Sequence, residues 1–118
     1  MELIATVSAS PFDHRYEMAF VYCYDKTKQY CFSLSRFPDS DLIEIMVRDQ
    51  INIKTNDLSV TLTGRQLVAL LEKHLADRLD GHCEYVVSLD VPDDALPNLL
   101  ASVGKIFEGK QGLTIVQT

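Results

Sequence analysis

Cys23, Cys31 and Cys83, together with His14, His74 and His82, are the side chains whose types could carry nucleophilic or metal chemistry in this 118-residue chain. A zinc site needs several Cys, His, Asp or Glu ligands at short, regular spacings, and no Cys-x-x-Cys pair is present. His82 and Cys83 are adjacent, and neighbours on a strand point to opposite faces, so they make a poor pair of ligands. Activated serine or cysteine needs a base beside it and a recognisable elbow, and no Gly-x-Ser-x-Gly occurs. Gly64 and Gly81 stand alone, so there is no Gly-rich phosphate loop. The expectation is therefore a protein with no catalytic residues, no metal and no cofactor. Each cysteine lies in an apolar stretch and is expected to pack as a small hydrophobe. His74 is expected near the C-terminal end of a helix, as a partly buried imidazole or in a favourable contact with the helix dipole.

Two other groups of residues could recognise a partner. The carboxylates Asp39, Asp41, Glu44 and Asp49 read as a solvated rim. The rings Tyr16, Phe20, Tyr22, Tyr24, Tyr30 and Phe32 read mostly as core; on an uncovered sheet face they would form a patch of the kind that binds protein.

The elements that must position these residues follow from hydrophobic period. Glu2 to Ala9 is a strand that ends at Ser10-Pro11. Tyr16 to Tyr24 carries apolar residues on both faces, as a central strand does. The polar turn Asp25 to Lys28 makes Gln29 to Ser35 its hairpin partner. Leu42 to Arg48 alternates as a half-buried strand, Asp49 to Asn56 reads as a polar connection, and Leu58, Val60 and Leu62 alternate with Asp57, Ser59 and Thr61. Thr63-Gly64-Arg65-Gln66 fits a capping box, and Leu67, Leu70, Leu71, His74 and Leu75 recur at helical offsets, which predicts a helix from Thr63 to Gly81. Cys83 to Asp90 is a further strand. A second helix starts near Asp93 or Asp94, with Pro97 in its first turn and Gly109 as its stop. Leu113 to Val116 reads as an edge strand or a tail. The order β-β-β-β-β-α-β-α predicts a single α+β domain: a mostly antiparallel sheet of five to seven strands with two helices packed on one face.

Apolar residues make up 47% and charged residues 24%, enough for a continuous core. The net charge of −6 divides evenly, with residues 1–64 and 65–118 contributing −3 each. Without a basic stripe, binding to nucleic acid or an anionic membrane is not expected, whereas a basic protein partner suits the acidic surface. No run approaches membrane-spanning length and no export signal is visible, so the expected compartment is the cytosol.

Two stretches resemble bacterial immunity proteins of polymorphic toxin systems, and among them the immunity protein 10 family. One runs from Ile43 to Asn52, where a strand leads into Asp49-Gln50-Ile51-Asn52 ahead of Leu58-Ser59-Val60-Thr61-Leu62. The other runs from Val86 to Leu96 and closes on Lys105-Ile106-Phe107. The resemblance implies a cytosolic protein that neutralises a cognate toxin by direct contact. Asp49, Gln50, Asn52 and Asp57 are the expected binding residues, because their loop is polar, long and outside the ladder. The alternatives are a secretion chaperone or adaptor, which would dimerise, and a small enzyme with a pocket between sheet and helices.

Overall fold

The computed structural model describes residues 1–56 and 58–116, and these form one sheet of nine strands with a single long helix. The strands are β1 (Glu2–Asp13), β2 (Met18–Asp25), β3 (Tyr30–Arg36), β4 (Ile43–Val47), β5 (Ile51–Thr55), β6 (Ser59–Thr63), β7 (Gln66–Leu70), β8 (Glu84–Asp90) and β9 (Leu113–Val116). Helix α1 is only Lys73–Ala76, and α2 is Leu96–Ile106, preceded by a 3-10 turn at Asp93–Ala95. The spatial order is β5-β4-β3-β2-β1-β8-β7-β6-β9. Most pairings are antiparallel; β1 with β8 and β6 with β9 are parallel. No helix among the described residues is long and apolar enough to cross a membrane.

Five expectations are corrected. The strand count is nine rather than five to seven, and two helices do not pack side by side on one face. The helix expected from Thr63 is instead a hairpin, β6–β7, followed by the four-residue α1. Thr63 pairs with Gln66 across a two-residue loop, and Gly64 takes φ 55, the left-handed conformation favoured at the first central position of a tight hairpin. The connection expected over 49–56 contains β5, paired with β4 through Ile45↔Ile53. Finally, β1 runs on through Pro11 to Asp13, with a register shift between Ser10 and Asp13 that accommodates the proline.

Alternation divides the sheet into an inner and an outer face. The inner one is continuous from Ile53 through Ile45, Leu34, Val21, Leu3, Val87 and Leu67 to Leu62, all buried. It curls strongly. The rings of Phe32 on β3 and Tyr85 on β8 lie 4.6 Å apart although β2 and β1 stand between those strands, a separation of about 14 Å in a flat sheet. Coiling lets one sheet enclose a core, so most strands bury a full inner row with little help from helices.

Helix α2 covers the inner face over β1, β2 and β3 through Leu99, Val103 and Ile106. Small residues such as Ala9 and Ala19 let it approach, and Asn98 Nδ2 donates to the Ala9 carbonyl at 2.7 Å. At its C-terminal end, Arg36 donates to the carbonyls of Ile106 (3.0 Å) and Glu108 (2.6 Å), occupying acceptors that a helix end leaves free. Pro97 sits in the first turn and Gly109, at φ 79, follows the last, as expected. Leu113–Val116 is an edge strand, parallel to β6.

Candidate functional site

No helix among the described residues covers the outer face of β1–β4, and side-chain size shapes it. On β3 the outward residues are Cys31, Ser33 and Ser35, all small. Register aligns them in rows: Phe20, Ser35 and Glu44 form one, and Tyr22, Ser33 and Met46 the next. Tall side chains on β2 and β4 thus flank a low floor on β3, leaving a trough of about 420 Å³. Tyr16 and Met18 extend one wall at its open end. Phe20, Tyr22, Tyr24 and Met46 are half-buried, and Tyr16 is 53% exposed.

Beyond the Tyr22 end of the trough lies the β4–β5 turn, tied to it through the Tyr22 hydroxyl. Arg48 and Asp49 adopt φ 59 and 58, a conformation that non-glycine residues hold only when their surroundings fix it. For Asp49 the fixing contacts are visible. Its backbone N–H donates to Cys31 Sγ at 2.9 Å, the Cys31 thiol lies 3.3 Å from Asp49 Oδ1, and the Tyr22 hydroxyl donates to the same carboxylate at 2.9 Å. Burial and the bond to Asp49 raise the Tyr22 pKa, and the same two causes raise that of Cys31, so both groups stay protonated at neutral pH. Cys23, inward on β2, is pushed up to about 12 by burial. Cys83 is exposed, contrary to the expectation of a packed thiol.

Arg48 turns the other way. Its guanidinium lies over the Tyr30 ring at 5.6 Å and reaches Asp80 at 3.3 Å. Asp80, in the segment between α1 and β8, accepts from the hydroxyls of Tyr30 (2.5 Å) and Tyr85 (2.8 Å). Each hydroxyl has one proton and both are committed to the carboxylate, so the 3.2 Å separation of the two tyrosine oxygens is proximity rather than a third bond. Burial pushes the Asp80 pKa upward, but the hydrogen bonds from the two tyrosines and from Arg48 work against it, and the pKa is lowered. This cluster fastens β3, β8 and the β4–β5 turn together.

The four expected binding residues are placed as follows. Asp49 accepts from the Tyr22 hydroxyl just past the trough's lining; Gln50 is exposed in the same turn; Asn52 is exposed on β5 directly opposite Met46, beside the trough; Asp57 lies outside the described residues. Of the carboxylate rim, Glu44 borders the trough and Asp41 reaches Arg36 at 3.8 Å. His74 is exposed and meets Glu72 at 3.3 Å; of the two expectations for it, the partly buried imidazole is corrected. Among the described residues no group of three or more His, Cys, Asp or Glu is arranged to hold a metal ion. The trough itself escaped sequence reasoning, although its signal was present in the alternation Cys31-Phe32-Ser33-Leu34-Ser35, small outward and large inward.

Comparison with protein families, with curated proteins and with solved structures yields no match to this chain.

Proposed function

We propose that this domain binds another protein through the outer face of β1–β4, and that it acts as an immunity-type inhibitor of a bacterial toxin. The observation that carries the binding role is the trough: aromatic and thioether side chains stand half-exposed around a preformed concavity, on a sheet face that no helix among the described residues covers. Such surfaces supply the anchors of protein interfaces. Asp49 and Asn52 at one end fit the polar margin that surrounds such anchors. The inhibitor role adds the resemblance over residues 42–107 and an acidic surface suited to steering a basic partner.

The test is co-expression with the toxin encoded beside the gene. Cells carrying the wild-type domain should survive, and cells carrying Phe20→Ala with Tyr22→Ala should die, with folding of the variant checked by circular dichroism. Death with the wild-type domain rejects the inhibitor role. Survival with the folded double variant rejects the trough as its binding surface.

A further inference from the structure

We infer that the trough receives an arginine side chain of the protein partner, with the guanidinium beside Glu44. This deepens the binding role proposed above and rests on it. Glu44 lies in the row Phe20–Ser35–Glu44, at the border of the concavity. No cation lies within 4 Å of its carboxylate among the described residues. Lys54 is its cross-strand neighbour but makes no ion pair with it, and Arg15 lies over the Tyr16 ring at 5.5 Å. The remaining lining is aromatic, thioether or hydroxyl, so the trough offers one free negative charge against rings and polarisable sulfur. That combination suits a cation on an apolar stem.

Dimensions favour the same occupant. Successive outward residues on a strand are about 6.7 Å apart, so a cation over Ser35 leaves its stem over Ser33, between Tyr22 and Met46. Arginine fits better than lysine. A planar guanidinium stacks on Phe20 while bonding a carboxylate with two parallel N–H groups, and it is less strongly hydrated than an ammonium. An anionic side chain would meet Glu44 with no basic group on the floor to receive it.

The experiment is an NMR titration of the full chain with the capped tripeptide Ala-Arg-Ala, and with the same peptide carrying citrulline or lysine in place of arginine. Citrulline keeps the shape and removes the charge. The arginine peptide should give saturable amide shifts centred on Phe20, Ser35 and Glu44, with affinity about tenfold above the citrulline peptide and above that of the E44Q variant. Lysine should fall between. Equal affinity for arginine and citrulline peptides, unchanged affinity in a folded E44Q variant, shifts centred elsewhere, or no saturable shifts at peptide concentrations on the order of 10 mM would each overturn the inference. Toxin protection without arginine binding overturns this inference alone. Arginine binding without toxin protection overturns the inhibitor role alone.

Discussion

Two tyrosine–aspartate clusters sit on opposite faces of the sheet, and they differ in what surrounds them. Tyr30 and Tyr85 present their hydroxyls to Asp80 on the buried side, where the carboxylate is 11% exposed. Tyr22 presents its hydroxyl to Asp49 on the outer side, where Asp49 is open to water. The β4–β5 turn joins them, Arg48 leaning to Asp80 and Asp49 to Tyr22. The same chemistry therefore serves two ends. Inside, it satisfies hydroxyls that burial would otherwise leave without acceptors; outside, it fixes the shape of a surface that water can still reach.

The comparison breaks most visibly at Asp80. Replacing it with alanine removes the acceptor of two buried hydroxyls at once, and an unsatisfied buried group costs about 1–3 kcal/mol. Asp80→Ala should therefore lose about 2–4 kcal/mol in urea unfolding, at nearly unchanged slope. A loss below about 1 kcal/mol would mean that water replaces the carboxylate and that the cluster is not what fastens the curl.

Acid should act through the same residue. Because the folded-state pKa of Asp80 is lowered, its contribution to stability is complete above the unfolded carboxylate value, about 3.9, and is lost as pH falls through the lower folded value. Asp25 behaves in parallel: the backbone N–H groups of Ile4 and Lys28 bond its carboxylate and lower its pKa. Wild type should thus lose stability between about pH 5 and 2, and Asp80→Asn should lose less over the same range. Identical acid profiles for the two proteins would remove Asp80 from the account.

How much of this was visible in the sequence depended on how far apart the partners lie. The hairpin β2–β3 was legible because its turn, Asp25 to Lys28, and both alternating strands are contiguous. Residues 66–71 were not. Leu67, Ala69 and Leu71 are buried by a period of two, yet Leu67, Leu70, Leu71 and Leu75 also satisfy a helical period. Leu70, 46% exposed, separates the two in the structure. The deciding fact is that β8 lacks a neighbour on one side unless 66–70 fills it, and no local pattern reports that. The parallel pairing of β1 with β8 spans most of the chain and left no trace either. For the site, Asp49 was picked out as polar and loop-borne. Its tie to Tyr22 depends on a register that the hairpin turns set.

The outer pair should respond weakly in stability and strongly in shape. Asp49→Ala breaks an exposed carboxylate contact, so its cost in urea unfolding should be about 0.5–1 kcal/mol, well below that of Asp80→Ala.

Tyr22→Phe sharpens the contrast further, because it removes one hydroxyl and leaves the ring that walls the trough. Its stability change should be within about 0.5 kcal/mol. The turn is a different matter: Arg48 and Asp49 stay in left-handed conformations only while their contacts hold them, and the Tyr22 hydroxyl is one of those contacts. Amide hydrogen exchange at Asp49 and Gln50 should therefore quicken in Tyr22→Phe while exchange in β8 stays as in wild type. If both regions exchange at wild-type rates, the Cys31 contacts suffice to hold the turn and the tyrosine serves only as a wall. If β8 quickens as well, the two faces are coupled through the turn and the distinction between them fails.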